Sequence, residues 1–516
     1  MLYSPQSFAR CWSSLAMASL VVIAMFGCGG SKPEPAQAGG RLADAAQVAQ
    51  QKPPAAKSSD TKALSPTLPD TSPARLANER TLDDLFAQAG GQPFEEAPMI
   101  LAVDNSTLPQ IDEERVAAAG IRKLTGKHLT LYTDLPEAPA VEELPQVFDA
   151  AVPQWSAYFG VDAAAAESWR QIGYLMQDKT RFVTARLLPN DLPDFLHGYQ
   201  RGSELWLYEQ PSDYYRRHLL LHEGTHGFMK RFLGGAGPPW YMEGTAELLG
   251  THRWQNEQLT LRWFPEDKEL TAFWGRIKVV QDEVRAGSGR EITNILRFDA
   301  TAHLQVEPYA WSWAAAAFFD SHPAYRDRFR DLRKFAPDDT LTFSQRFYDS
   351  LQDDWPSVAR QWHLFIANLD YGYDVAREAI DPKPAVDLPA EGAAVTVVAD
   401  RGWQSTGYRL AAGECYKLAA TGRYQLADQP KIWWCEPNGV TIRFHKGRPL
   451  GILLGAIMDE SAADGGALPL INPNTIGLGG EFPIEQGGTL YLRINDSPAE
   501  LEDNAGTLEV RITKLP

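Results

Sequence analysis

The sequence is poor in cysteine, in positive charge and in long apolar runs. Four cysteines occur in 516 residues, too few for a small fold held together by disulfides. The formal net charge of −17 disfavours nucleic acid as a partner, because nucleic-acid-binding proteins usually present a basic surface. The apolar run at 15–26 is too short to span a bilayer comfortably as a permanent helix. No repeat of fixed period is found, which argues against a solenoid or a propeller.

Material for a hydrophobic core is plentiful. Hydrophobic residues make up 44% of the chain, with 15 Trp, 18 Tyr and 22 Phe, so the chain as a whole is not disordered. Its length exceeds what one core usually organises, which predicts two folded domains with additional segments. Residues 28–80 are the exception, because they are rich in Pro, Ala, Ser, Gln and Lys and are predicted to form a disordered tether.

The N-terminus has the features of an export signal. Arg10 precedes the apolar run at 15–26, and we expect residues 1–27 to be cleaved as a signal peptide. The run ends in Met25-Phe26-Gly27-Cys28, which resembles a bacterial lipoprotein box, although Met25 and Phe26 depart from the usual residues. The resemblance implies that Cys28 carries lipid and anchors the chain to a membrane, facing the periplasm or the cell surface. Simple secretion is the alternative.

The rest of the chain divides into two regions of different pattern. Residues 97–382 mix helical and strand-like periodicities, which predicts an α+β enzyme domain. Strands are predicted at 128–133, 181–187 and 204–208, and helices at 141–159, from Ser212 to about Phe232, and from near Trp240. After a Pro-rich junction, residues 385–516 alternate in short strands separated by Gly, Asn, Asp and Pro turns, which predicts a β-sandwich.

The remaining cysteines lie in the predicted sandwich. Cys11 would leave with the signal and Cys28 would carry lipid, so Cys415 and Cys435 remain. An exported protein occupies a compartment in which disulfides persist. We therefore predict a disulfide between Cys415 and Cys435, with two free thiols as the alternative.

A metal-binding pattern stands out in the α+β region. His222-Glu223-Gly224-Thr225-His226 is an HExxH motif, and residues i and i+4 of a helix project two imidazoles from one face. Glu243, in a second predicted helix, can supply a third ligand. Two His and one Glu leave the fourth position of zinc open for water. Glu223 is then placed to take a proton from the attacking water and deliver it to a leaving amine.

The two motifs together resemble a known clan. HEGTH followed by WYMEGTAE at 240–247 is similar to the gluzincin metallopeptidases, particularly the peptidase-MA-like members, over roughly residues 120–380. The resemblance implies a thermolysin-like α+β domain in which Glu243 ligates zinc and Glu247 orients a ligand histidine. It also implies that Tyr309, in Glu307-Pro308-Tyr309 at the start of an Ala- and Phe-rich helix, hydrogen-bonds the oxyanion. A tyrosine that merely packs at a helix start is the alternative.

The expected activity is hydrolysis of peptides or proteins. Aminopeptidase relatives carry a Gly-x-Met-Glu-Asn signature, and none precedes His222, so we expect an endopeptidase whose substrate adds as a strand to 204–208. His218 is expected to be a buried, hydrogen-bonded histidine, and His252 a capping or surface residue. The alternatives are a zinc hydrolase of a non-peptide substrate, an inactive relative that keeps its zinc, and a non-catalytic lipoprotein that binds carbohydrate.

A loop near the C-terminus concentrates oxygen donors. Residues 494–506 contain several Asp, Glu and Asn side chains between two predicted strands, as calcium prefers. This loop, together with 402–407 and 451–457, resembles the PA-IL galactophilic lectin family. The resemblance implies calcium ligation by Asp496, Asp503 and Asn504, with a carbonyl from Glu500, and cell-surface carbohydrate as a possible partner. Asp503 stands where the family has Asn, and 433–437 lacks the family's histidine-bearing sugar loop, so galactose is not implied. A solvated acidic hairpin is the alternative.

Overall fold

The computed structural model describes residues 108–299, 305–381, 383–460 and 468–516. The predictions for the signal peptide, the lipid-bearing Cys28 and the tether lie outside these residues. Within the described part of the chain, no helix has both the length and the apolar character needed to cross a membrane.

The first half of the described chain is built on a mixed five-stranded sheet. Its strands are β1 Arg122–Thr125, β2 Leu129–Thr133, β3 Gln171–Met176, β4 Gly198–Arg201 and β5 Glu204–Tyr208. Their order is β1-β2-β3-β5-β4, with β2, β3 and β5 parallel and the two edge strands antiparallel. The predicted strand at 204–208 is therefore internal. The prediction that it receives a substrate is wrong, because β4 covers it and forms the edge.

The helices of this region pack in two apolar cores, a large one and a smaller one that contains Val116 and Phe182. They are α1 Glu113–Ala118, α2 Pro139–Glu142, α3 Leu144–Phe159, α4 Ala163–Ala166, α5 Lys179–Thr184, α6 Asp213–Leu233, α7 Pro239–Gly250, α8 Arg276–Arg285, α9 Ile292–Ile295, α10 Val306–Ser321, α11 Arg326–Asp331, α12 Leu341–Leu351, α13 Trp355–Asn368 and α14 Val375–Glu378. A small hairpin, β6 His252–Gln255 and β7 Gln258–Leu261, follows α7. Short 3-10 turns occupy Lys268–Thr271, Leu332–Phe335 and Gln352–Asp354.

Local signals explain the central helix α6. The Ser212 side chain caps its start by accepting a hydrogen bond from the Tyr215 backbone NH, and Gly234 ends it in the left-handed region at φ +76°. The strand predicted at 181–187 is wrong. Residues 181–184 belong to α5, which starts where the Asp178 carboxylate accepts from the Thr180 NH, and 185–187 leave the helix in a turn.

Helix α7 crosses α10 at very short range. A Cβ added to Gly244 would lie 2.6 Å from the Ser312 carbonyl oxygen, so only glycine permits this approach. The crossing brings Glu243 on α7 and Tyr309 on α10 to the same side of α6.

The second region is a two-sheet sandwich. Its strands are β8 Val386–Asp387, β9 Ala393–Val398, β10 Gln404–Leu410, β11 Cys415–Gly422, β12 Tyr424–Ala427, β13 Trp433–Cys435, β14 Asn438–His445, β15 Arg448–Met458, β16 Asn474–Thr475, β17 Gly479–Pro483, β18 Gly488–Ile494 and β19 Thr507–Lys514, with α15 Leu468–Ile471 between β15 and β16. One sheet has the order β14-β15-β18-β10-β8, the other β17-β11-β19-β9. Apolar side chains of both sheets form one buried core.

The sandwich is joined to the helical region by a further apolar cluster. Leu364 on α13 and Ile380 beyond α14 share this cluster with Trp403 and Tyr491 of the sandwich. Beside it, the two oxygens of Glu378 accept hydrogen bonds from the Arg493 guanidinium at 2.9 and 3.1 Å.

The predicted disulfide between Cys415 and Cys435 is wrong. Cys415 and Cys435 are free thiols. Cys415 begins β11 opposite Pro483, whereas Cys435 lies on β13 opposite Tyr424 in a separate two-stranded sheet. The Cys435 thiol is buried and donates to the Glu436 carbonyl at 3.2 Å. The two strands do not pair, so their cysteines are not brought together.

Candidate metal centre

Two histidines of α6 present their ring nitrogens to one point. His222 and His226 lie one helical turn apart, and their Nε2 atoms are 3.1 Å from each other. Both residues are buried. Two imidazole nitrogens at this distance need a shared proton or a shared cation to offset the repulsion of their lone pairs.

Glu243 completes a triangle of donor atoms. Its Oε2 lies 3.1 Å from His222 Nε2 and 3.4 Å from His226 Nε2. Zinc bonds of 2.0–2.1 Å in tetrahedral geometry place ligand atoms about 3.3 Å apart. The three donors therefore fit zinc, with one coordination position left over.

The charges of the triangle also suit a cation. Burial disfavours the Glu243 carboxylate, yet His226 and His222 hold its pKa well below the usual range. Burial lowers the pKa of His222, but Glu243 outweighs this and raises it to about 9. The same electron pairs that hold a proton here would hold a metal ion.

Glu223 is buried beside this triangle and faces the sheet edge. A Cβ added to Gly198, the first residue of β4, would lie 2.5 Å from Glu223 Oε1, so glycine makes room for the carboxylate. Burial raises the pKa of Glu223 to about 7, with His222 opposing and Glu243 adding to the rise. A carboxyl group of this kind can both accept and return a proton near neutral pH.

Glu247 lies behind His222 and binds several partners at once. Its Oε1 and Oε2 accept from Arg276 at 2.9 and 3.0 Å, and Trp274 Nε1 donates to it at 3.3 Å. Its Oε1 is 3.6 Å from His222 Nδ1. This separation is too long for a hydrogen bond, and His222 Nδ1 has no hydrogen-bond partner among the described residues, so the orienting role of Glu247 stays a prediction.

A second trio of possible ligands shares His222 and Glu247. His218 Nε2 lies 3.2 Å from Glu247 Oε2, and these three residues could in principle hold an ion. Two hydrogen bonds from the Arg276 guanidinium already neutralise Glu247. A cation would have to displace that buried charge, so the trio is better explained as an ion-pair network. The burial of His218 agrees with its prediction.

Tyr309 comes to the metal side of α6, as its predicted role requires. Its ring centroid is 6.2 Å from that of His222, and the Arg276 guanidinium lies 5.7 Å from its ring centroid. Burial, and then the charges of Glu243 and Glu223, raise its pKa. The phenol therefore stays protonated and can donate a hydrogen bond.

Three contributors to the site were missed from the sequence. Arg276, Trp274 and Gly198 lie far from the HExxH motif, and no local pattern marks them as partners of Glu247 or Glu223. His252 was predicted to be a capping or surface residue: the cap is confirmed, because its ring bonds the carbonyl of Gly250, the last residue of α7, and the surface alternative is wrong. It is buried, its Nδ1 is bonded to the Gly250 carbonyl at 2.8 Å, and its ring stacks on Tyr214.

In the oxygen-rich loop of the sandwich, two of the predicted calcium ligands, Asp496 and Asn504, contact each other. Asp496 is buried, and its Oδ2 accepts from Asn504 Nδ2 at 3.0 Å. Burial raises the pKa of Asp496 to about 7. Within the described residues, Asp503 Oδ1 and Asn504 Oδ1 are buried without a hydrogen-bond partner. The Glu500 side chain turns away to Arg443. These orphaned oxygens are ones that a hard cation would satisfy.

Comparisons with known proteins do not assign this chain to a family. No protein-family model matches the chain, and no curated protein matches it. Among solved structures, a chain described as "EclA N-terminal domain; PllA-like lectin" aligns with 20% identity, 24% of this chain and 95% of that chain, at a TM-score of 0.18. A likeness at that score carries no argument, so the description of the sandwich rests on its own two sheets.

Proposed function

We propose that this chain is a zinc-dependent endopeptidase. The observation that carries the proposal is the triangle of His222 Nε2, His226 Nε2 and Glu243 Oε2, with edges of 3.1 to 3.4 Å, beside a buried Glu223. Zinc held by these three residues would polarise a scissile carbonyl and lower the pKa of water.

The neighbouring side chains supply the remaining chemistry. Glu223 takes the proton of the attacking water and returns it to the leaving amine. The Tyr309 hydroxyl donates a hydrogen bond to the carbonyl oxygen of the scissile bond as negative charge develops on it. Glu247, fixed by Arg276, keeps the His222 ring in place.

The sheet edge gives the substrate a place to bind. Among the residues that the structure describes, strand β4 pairs with β5 alone, and its first residue faces Glu223. An extended peptide that adds to the free side of β4 would bring its backbone to the metal ligands. This arrangement supports cleavage within peptides. A zinc hydrolase of a non-peptide substrate is the competing assignment.

Export and lipid attachment at Cys28 are part of the proposal. They place the enzyme on a membrane, facing the periplasm or the cell surface. In cell fractionation, Cys28→Ser should move the full-length protein from the membrane to the soluble fraction, because no other membrane affinity is proposed.

A second, compatible function is proposed for the sandwich. The buried oxygens of Asp503 and Asn504 beside Asp496 favour a bound calcium ion. Carbohydrate at the cell surface is the partner that the lectin-like sequence features suggest. Such a role would hold the enzyme near its substrate, or, without peptidase activity, would make the chain a carbohydrate-binding lipoprotein.

The deciding experiment measures zinc content and peptide cleavage in the same preparations. Purified wild-type protein and the Glu223→Gln variant are each incubated with a peptide mixture derived from a proteome, and the cleavage products are identified. Bound metal is measured by mass spectrometry in the same preparations. We expect one zinc per chain in both proteins and cleavage by wild type only. Zinc without cleavage in wild type would contradict the peptidase assignment, and full activity of Glu223→Gln would contradict the role of Glu223.

A further inference from the structure

Lys230 is an exposed cation on the metal-binding face of α6. It follows His226 by four residues and Glu223 by seven, spacings that place all three on one side of a helix. Most residues from Tyr214 to Met229 are buried, whereas Lys230 is exposed. No described carboxylate lies within ion-pair distance of its ammonium group, in contrast to Arg276, which Glu247 neutralises.

The charge of Lys230 reaches the reaction centre. Partial desolvation lowers its pKa, and attraction to Glu223 and Glu243 opposes that effect. A zinc ion would balance the two negative charges of Glu223 and Glu243. The positive charge of Lys230 would then remain uncompensated on this face of α6, although the whole chain carries −17.

The register of β4 against α6 gives the direction of a bound peptide. The His197 ring is 6.4 Å from that of Tyr215, Gly198 faces Glu223, and a Cβ on Gly227 would lie 3.6 Å from Gln200 Nε2. Strand and helix therefore run in the same direction.

A peptide that pairs antiparallel with β4, the geometry with the stronger ladder, runs the opposite way. It would enter at the Gly227 end and leave at the Tyr215 end. Its residues N-terminal to the scissile bond would then lie on the Lys230 side.

We propose that Lys230 selects an acidic side chain at the first or second residue before the cleaved bond and repels a free amino terminus there. The inference rests on the peptidase function proposed above and narrows its substrate class to internal sites with Asp or Glu on the N-terminal side. A single charge pair in a partly hydrated cleft should produce a preference for Glu over Gln of about 3- to 30-fold in kcat/KM.

The test compares cleavage-site profiles of three proteins on a proteome-derived peptide mixture. These are wild type, Lys230→Glu, and Arg231→Glu as a matched control, since Arg231 is exposed on the same turn and lies over Phe232. We expect wild type and Arg231→Glu to favour Asp and Glu at the one or two positions before the cut. Lys230→Glu should lose this preference and accept Lys or Arg.

Synthetic peptide pairs then supply the magnitude. Each pair differs only by Glu or Gln before the cleaved bond, and each peptide is offered with a free and an acetylated amino terminus. Equal rates for Glu and Gln in wild type, an unchanged profile in Lys230→Glu, or an acidic preference found only after the cut would each overturn the inference. Absence of any cleavage that depends on Glu223 would instead overturn the peptidase function itself, and this inference with it.

Discussion

Glu247 and Arg276 form a buried bidentate ion pair, with N–O distances of 2.9 and 3.0 Å, on the Nδ1 side of His222, away from Glu243. Neither residue is a predicted ligand, and Glu247 Oε1 lies 3.6 Å from His222 Nδ1. The carboxylate is negative because Arg276 and His218 outweigh the effect of its burial and hold its pKa well below the usual range.

Removing that carboxylate should weaken zinc binding without abolishing it. Glu247→Gln leaves the buried Arg276 charge uncompensated, a change that typically costs about 3–5 kcal/mol of folding stability, and it frees the His222 ring. We expect zinc affinity to fall roughly 10- to 100-fold, as for other outer partners of metal ligands. Glu243→Ala should lose zinc altogether. Competition with a chelator measures both, and equal zinc retention by the two variants would contradict the assignment of roles.

Gly198 should be intolerant of any side chain. In Gly198→Ala the new Cβ would meet Glu223 Oε1 at 2.5 Å, so the carboxylate must shift, and a displacement of about 1 Å in a catalytic group can cost roughly 100-fold in rate. Zinc content should not change. Gly289→Ala is the control, because its Cβ would find only ordinary contacts at 3.6 and 3.8 Å. Steady-state kinetics of the two variants give the comparison, and a normal rate for Gly198→Ala would show that Glu223 is placed differently.

We expect Tyr309 to contribute to the catalytic rate and not to zinc binding. Tyr309→Phe removes only the hydroxyl, which is needed when negative charge develops on the carbonyl oxygen, so kcat should fall by about 100- to 1,000-fold with little change in KM or zinc content. The ring remains against His222 and Arg276, so the melting temperature should stay close to that of wild type. A loss of zinc in this variant would assign the tyrosine to structural support.

Calcium should stabilise the full-length protein through the sandwich. A ligand that binds only the native state raises the melting temperature by mass action. Asp496→Ala with Asn504→Ala should abolish the increase caused by added calcium, whereas Asp387→Ala, at an exposed position of β8, should preserve it. The measurement is thermal unfolding with calcium or with a calcium chelator. An increase that survives the double substitution, or no increase in wild type, would favour an acidic hairpin that binds no ion.

Sequence patterns predicted the parts of the site that are local. The HEGTH and WYMEGTAE segments each lie on one helix, so their spacing alone indicates which side chains share a face. The edge strand could not be predicted in this way, because Gly198–Arg201 is short and lacks an apolar pattern. The hydrophobic segment 204–208 was predicted to be the edge strand instead. Arg276 reaches Glu247 only through tertiary packing. The cysteine pairing failed for the same reason, since two strand-like segments do not reveal which sheets they join.

The apolar cluster between α13 and the sandwich restricts how the sandwich can move relative to the helical region. Leu364 and Ile380 are buried together with Trp403 and Tyr491. Rotating the sandwich away from the helical region would therefore expose apolar surface to water at a cost of several kcal/mol. A ligand bound by the sandwich would therefore also fix the orientation of the helical region that carries His222, His226 and Glu243.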